Sequence, residues 1–237
     1  FVNARIDPEA ILMSIAFIPT TDAQGAFEPI LFVGWTLNFE MAFYAIFACT
    51  LFFSRKYQLL ALATGLLALF LIGRLAGQNN FLGFYGNAIL FEFAAGCIIG
   101  ASIRNARFKP YLDLLPAIPM VAFGALLLLL TALLPESFFV RPISWGVPAM
   151  LIVLGVVLLD IRKPSLPPMV MTNLGDASYS AYLLHPFLVV AVGVITIKLF
   201  GQNWMAAVGI VAAVLMSTAI ISSLSFRLIE KPSAKIF

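Results

Sequence analysis

The 237-residue sequence predicts an all-α fold, a polytopic transmembrane helical bundle. Three observations carry that reading. Hydrophobic residues make up 62% of the chain and charged residues only 11%, against about 25% charged in soluble globular domains; the mean hydropathy is +1.04. The apolar residues are gathered into runs near the roughly 20 needed to cross a bilayer. Lys and Arg fall in the short gaps between those runs, where the positive-inside rule places them.

Seven runs are long enough to span, at about 31–53, 57–73, 81–101, 115–134, 143–160, 177–199 and 204–226. An eighth, at 9–19, is short. At about 1.5 Å per residue it covers roughly half a bilayer, as an interfacial or re-entrant piece or the end of a span would. The expected architecture is therefore about seven full spans plus one short N-terminal hydrophobic segment. The breaks carry ordinary helix punctuation: Ser54-Arg55-Lys56, the polar stretch from Arg74 to Asn80, the basic stretch from Arg104 to Pro110, Pro135-Glu136 with Arg141-Pro142, the proline-rich stretch from Asp160 to Pro168, and Gly201-Gln202-Asn203. The chain begins at Phe1 without an initiator Met. No basic segment followed by a cleavage site is present, so a signal peptide is not expected, and the abrupt start suggests a fragment or a processed chain.

The formal net charge is +3, and its distribution argues for membrane orientation rather than for nucleic acid as a partner. Arg55, Lys56, Arg104, Arg107, Lys109, Arg162, Lys163, Arg227, Lys231 and Lys235 fall on one side of the bilayer when the runs are alternated. Arg5, Arg74, Arg141 and Lys198 fall on the other. The first side is expected to be cytoplasmic, with the C-terminus there. Cys49 and Cys97 both lie inside apolar runs, without metal-ligand spacing, and read as small buried hydrophobes.

Ionisable groups inside spans are costly and point to function. Glu40, Glu92 and His185, the one histidine of the chain, qualify. Counted from the predicted ends of their runs, all three lie roughly 13–17 Å from an interface, a shared depth that a common polar cavity would require. Ser178, Tyr182 and His185 are spaced four and three apart and so share a helix face; Glu40 and Tyr44 are spaced four apart. Glu92, Gly96 and Gly100 also line up, and the Gly-x-x-x-Gly pattern is expected to keep the Glu92 face inside the bundle. Glu92 and His185 could instead be structural, satisfying other buried polar groups. No soluble-enzyme motif is present, and a single histidine leaves no His-rich metal site.

Three segments resemble the acyltransferase-3 family, most closely its exopolysaccharide-type members. Val33-Gly34-Trp35-Thr36-Leu37-Asn38-Phe39-Glu40-Met41-Ala42-Phe43-Tyr44 is similar to the family's tryptophan–glutamate–tyrosine motif. Leu174-Gly175-Asp176-Ala177-Ser178-Tyr179-Ser180-Ala181-Tyr182-Leu183-Leu184-His185-Pro186 is similar to its late Ser-Tyr…Tyr-Leu-x-His motif, and Arg227-Leu228-Ile229-Glu230-Lys231-Pro232 to its closing Ile-Glu-Lys-Pro. Phe91-Glu92-Phe93 through Gly100 matches a further pattern there. The resemblance runs in order across nearly the whole chain and implies a single integral-membrane acyltransferase-type domain over 1–237. Family members begin with a histidine-bearing first span and an Arg-x-x-Arg segment. This chain's start corresponds to the family's third span, so it is expected to be N-terminally incomplete.

The resemblance implies a multi-pass enzyme of the bacterial inner membrane that moves an acetyl, succinyl or similar group to a hydroxyl of a cell-surface or exported carbohydrate. The donor would be acyl-CoA, with no bound cofactor and no metal. The partners would be donor, carbohydrate acceptor and lipid bilayer. Such a reaction needs a base for the hydroxyl proton and stabilisation of the tetrahedral oxyanion. His185 would be that base or would support the family's N-terminal histidine. Glu40 would orient a histidine or bind the sugar, and Tyr44 and Tyr182 would donate to the acyl oxygen. Trp35 would stack on a sugar face, with Asn38, Glu92, Ser178 and Tyr179 completing the substrate-binding set. A transporter or flippase with ion-coupling carboxylates, or a non-catalytic scaffold, is the alternative class; against the transporter stands the lack of paired broken helices or an inverted repeat.

Overall fold

The computed structural model describes residues 7–21, 33–77, 80–133, 141–164, 167–201 and 204–234. Every regular element among them is helical. Four are long and apolar enough to cross a membrane, Arg55–Ala76, Pro142–Arg162, Ser178–Leu199 and Val208–Ser233, and Ala117–Leu133 is a shorter apolar helix. The expected helical membrane bundle is the fold observed. The chain forms two compact units, Phe1–Ser165 and Leu166–Phe237.

In the first unit the short N-terminal run is the eight-residue helix α1, Pro8–Ile15. Asp7 caps it, its carboxylate accepting from the Ala10 N–H at 2.7 Å, and Pro8 opens it where a missing N–H costs nothing. Helix α2, Gly34–Thr50, corresponds to the 31–53 run, whose expected start at 31–32 lies outside the described residues. Helix α3 runs Arg55–Ala76 and stops at Gly77, whose φ of 80° favours glycine. These two helices build an aromatic core with the next segment. Phe39, Leu62, Leu66, Tyr85, Ile89 and Leu90 are buried, with Trp35, Phe43, Phe70 and Phe84 packed around them. Phe39 stacks on Phe84 at 4.8 Å and Phe43 on Phe93 at 5.0 Å.

The expected continuous span at 81–101 is instead broken. Helix α4 covers only Phe81–Phe84, and helix α5 begins at Leu90 and ends at Arg104. Two asparagines punctuate the break. Asn80 accepts from the Leu82 N–H at 3.0 Å and Asn87 from the Ile89 N–H at 3.1 Å, each restarting a helical turn. Gly86, in the break, presses against α3. A Cβ on Gly73 would run into the Gly86 backbone nitrogen and lie 2.7 Å from its Cα. Glu92 therefore sits in the first turn of α5, and the depth counted from Phe81 along one helix does not apply to it. The expected role of Gly96 and Gly100 also fails, since among the described residues no atom beyond their own stretch of helix lies within 4 Å of a Cβ built at either. Both face outward on α5, so they do not hold the Glu92 face inside.

The basic connection after α5 contains a short helix, α6 (Lys109–Leu114). The Arg162 guanidinium donates to the carbonyls of Leu112, Asp113 and Leu115 at 2.6, 3.2 and 2.8 Å. It caps the negative end of that helix, a role beyond orientation. Helix α7, Ala117–Leu133, packs against α8, Val147–Arg162. Glycines set the approach: a Cβ on Gly124 would lie 2.7 Å from the Pro148 carbonyl oxygen, and one on Gly155 2.8 Å from that of Ala117. A π-helical turn, Pro142–Gly146, leads directly into α8. Arg141-Pro142 thus opens a helix, where the sequence suggests only the edge of a turn.

The second unit holds α9 (Met169–Asp176), α10 (Ser178–Phe200), α11 (Trp204–Ser225), a π-helical turn (Phe226–Glu230) and α12 (Lys231–Ser233). Helices α10 and α11 form a hairpin, and Gly201, at φ 73°, ends α10. Helix α9 lies in a stretch the sequence leaves as connection.

The glycine contacts make a direct test. Gly73→Ala is expected to destabilise the protein by about 1–3 kcal/mol, because the methyl group meets backbone that cannot swing aside. Gly96→Ala, into open space, is expected to leave the unfolding midpoint in detergent unchanged or slightly raised. Equal loss in both variants would mean that both glycines make close helix contacts.

Candidate functional site

The chemistry-bearing residues form local groups, and each belongs to one unit. In the second unit, His185 stands on α10 immediately before Pro186, a proline inside the helix. A residue at 186 would ordinarily donate its N–H to the carbonyl four residues back, that of Tyr182. Proline has no N–H to give. The His185 ring reaches back instead, with Nδ1 2.7 Å from the Tyr182 carbonyl oxygen. A carbonyl only accepts, so Nδ1 carries a hydrogen, and of the two neutral tautomers the bond selects the one whose lone pair is on Nε2. That bond turns Nε2 away from the carbonyl, and the Tyr182 ring lies beside the imidazole, centroids 5.9 Å apart.

Tyr182 and His185 are half-buried, while Ser178 and Tyr179, in the first turn of α10, are exposed. The face expected from their spacing is present, with its outer end open. Ser180, which the sequence does not single out, is buried, and its hydroxyl donates to a Glu230 carboxylate oxygen at 2.8 Å. That bond ties the start of α10 to the π-helical turn after α11. It joins two of the three motif segments through residues within each.

In the first unit, Glu40 and Tyr44 meet as their spacing predicts, the Tyr44 hydroxyl donating to Glu40 Oε1 at 2.5 Å. The pair lies on a partly exposed face of α2. Asn38 turns away from it. It is 2% exposed, and its amide nitrogen has no hydrogen-bond partner among the described residues. Trp35, Glu92 and Arg141 come together from three separate segments. Arg141 Nε lies 3.6 Å from Glu92 Oε1, and the guanidinium carbon sits 5.5 Å from the Trp35 ring centroid. Phe39 steadies Trp35 with an edge contact at 6.0 Å. The π-helical turn closes this group from one side, since a Cβ on Gly146 would touch Glu92 Cγ at 3.4 Å. π-Helical turns often mark functional positions.

This group offers what a sugar face needs: an aromatic ring, a cation with several donors, and a carboxylate acceptor. Glu92 at the start of α5 also gains from the helix dipole. Arg141 was legible only as a basic residue at a span entrance, and nothing in its own neighbourhood points to Glu92. Among the described residues no group of three or more His, Cys, Asp or Glu is arranged to hold a metal.

Comparison with known proteins adds the following. Residues 12–225 match the family model described as "Acyltransferase domain". The chain is 34% identical over 238 aligned residues to the "Exopolysaccharide production protein ExoZ" of Rhizobium meliloti (strain 1021), covering 98% of this chain and 71% of that protein. No solved structure matches.

The Ser180–Glu230 bond is a hydrogen bond to a carboxylate in a partly buried setting, of the kind that contributes about 1.5–3 kcal/mol. Ser180→Ala and Glu230→Ala are each expected to lower the unfolding midpoint. In a double-mutant cycle the pair should couple by about 1–3 kcal/mol. Additive single effects would show that the bond contributes nothing.

Proposed function

This chain belongs to the acyltransferase family whose domain it carries, and from that premise we propose that it moves an acetyl, succinyl or similar group from acyl-CoA to a hydroxyl of a cell-surface or exported carbohydrate. As a family member it is a multi-pass membrane enzyme that transfers acyl groups other than amino-acyl groups. The match across residues 12–225 is the observation that carries the reaction class. Similarity to a protein named for exopolysaccharide production supports the carbohydrate acceptor. The uneven distribution of Lys and Arg supports a cytoplasmic C-terminus in a bacterial inner membrane.

The proposed step is an acyl transfer in two stages. The acceptor hydroxyl oxygen attacks the thioester carbonyl carbon while its proton passes to His185 Nε2. The tetrahedral intermediate then collapses, the C–S bond breaks, and the imidazolium returns the proton to the departing thiolate. The products are an ester and free coenzyme A, with no oxidant or metal required. Support for His185 as base comes from its tautomer, held by the Tyr182 carbonyl. Tyr182 is assigned to the acyl oxygen, and Ser178 and Tyr179, exposed beside it, to substrate. The Tyr44 hydroxyl donates its hydrogen bond to Glu40 in the resting structure, so its role there is to aim that carboxylate. Trp35, Glu92 and Arg141 are assigned to the acceptor sugar, with Asn38 as a buried donor behind them.

The test supplies radiolabelled acetyl-CoA and deacylated exopolysaccharide to membranes containing the protein. His185→Ala is expected to lower kcat by about 10²–10⁴, the usual size of a general-base contribution, and Glu40→Gln to lower it less. A His185→Ala enzyme working at the wild-type rate would rule out the base assignment. Arg141→Ala is expected to raise the acceptor KM about tenfold, as loss of roughly one charge-assisted contact would. The KM for acetyl-CoA should stay unchanged, and a rise in both would contradict an acceptor-specific role.

A further inference from the structure

We infer that Pro186 is a positioning residue for catalysis, acting through His185: by withholding a backbone N–H it reserves the Tyr182 carbonyl for the His185 ring and so fixes which ring nitrogen is the base. The inference rests on the proposed role of His185, and it adds a residue that touches no substrate.

The geometry supplies each step. Helix α10 is continuous from Ser178 to Phe200, with Pro186 inside it. The carbonyl facing position 186 across one helical turn is that of Tyr182. In a membrane span an orphaned carbonyl cannot turn to water, so it must find a donor within the protein. Serine and threonine hydroxyls, or a neighbouring helix, commonly supply one at such prolines. Here the donor is a ring N–H from the preceding residue, 2.7 Å away. Helical side chains lean back toward the N-terminus, so a histidine directly before the proline has the right reach.

The consequence is chemical. Free histidine in water favours the tautomer with hydrogen on Nε2. The bond to Tyr182 selects the opposite one, leaving the Nε2 lone pair pointed away from its own helix backbone. A non-proline residue at 186 would bring its N–H to the same oxygen, crowd the ring out, and weaken that selection. The helix would gain a hydrogen bond and the base would lose its orientation.

These 237 residues hold a single histidine, so selective ¹⁵N-histidine labelling of this chain gives one pair of ring-nitrogen signals from it, assigned to His185 by its loss in His185→Ala. The wild type is expected to show the Nδ1–H tautomer. In Pro186→Ala the ratio of Nδ1–H to Nε2–H is expected to fall about tenfold, the weight of one hydrogen bond. The kcat for acyl transfer from acetyl-CoA should fall by a similar factor. Both KM values should hold, and the unfolding midpoint should be unchanged or higher, since an interior proline has been removed. A proline that matters only for helix shape would move the midpoint and leave the tautomer alone.

Three results separate the possibilities. An Nε2–H tautomer in the wild type overturns the inference at once, even if Pro186→Ala fails to insert. A loss of kcat in Pro186→Ala with the tautomer unchanged also overturns it, while leaving His185 as the base. A tautomer that redistributes with kcat unchanged overturns it as well, and with it the role of His185 as the base, since the proline would then select a tautomer that catalysis does not use.

Discussion

The constraint on which the rest depends is the absence of water in the bilayer core. Backbone and side-chain polar groups there must be satisfied from within the protein. The helices answer it locally. Thr64 returns its hydroxyl to the Leu60 and Ala61 carbonyls, Thr131 to Leu128, Ser217 to Val214, and Ser222 and Ser223 to the preceding turn. The Tyr182 carbonyl is the instructive case, because Pro186 removes its ordinary donor and a titratable ring takes the place. A requirement of the solvent thereby becomes a property of the candidate base.

The same constraint shapes the packing. Lipid tails are as apolar as leucine, so helices gain little by hiding leucine from them and associate through close fit and polar contacts. In the first unit the fit comes from glycines on opposed backbones, Gly73 against Gly86 and Gly124 and Gly155 between α7 and α8. It also comes from aromatic rings that fill the space between α2, α3 and the broken segment ahead of α5. The break has a further effect. Because Gly86 must sit on Gly73, one apolar run cannot be a single helix, and Glu92 is delivered to the start of α5. A carboxylate there has the helix dipole and Arg141 to offset the cost of its position.

What could be read from the sequence was largely what lies within one helix. Apolar runs of span length mark the helices, and the i, i+4 pair Glu40–Tyr44 and the i, i+3 pair Tyr182–His185 meet as their spacing requires. Contacts between helices were not legible. Arg162 reaches carbonyls 47 to 50 residues away, and a basic residue near a span end looks the same whether it caps a helix or faces lipid headgroups. Arg141 is a similar case, since its partners come from α2 and α5. The Gly96-x-x-x-Gly100 pattern misleads for a related reason. Spacing says that two glycines share a face, and says nothing about whether a partner lies opposite. Gly73 and Gly86, which belong to no motif, make the close approach.

The motif segments add one kind of non-local information. Taken alone, the Ser178–Pro186 stretch reads as a face carrying a serine, a tyrosine and a histidine. The Arg227–Pro232 stretch, with two basic residues beside an apolar pair, reads as a span end. Their joint meaning is the bond between Ser180 and Glu230, 50 residues apart. Ser180 lies off the predicted polar face, and it is buried with its hydroxyl donating to Glu230. The bond fixes the first turns of α10 against the end of α11. His185 stands about a turn and a half further along α10, so the bond holds the helix that carries it. A carboxylate at the far end of the unit thus contributes to the candidate base by holding still the helix on which Pro186 selects its tautomer.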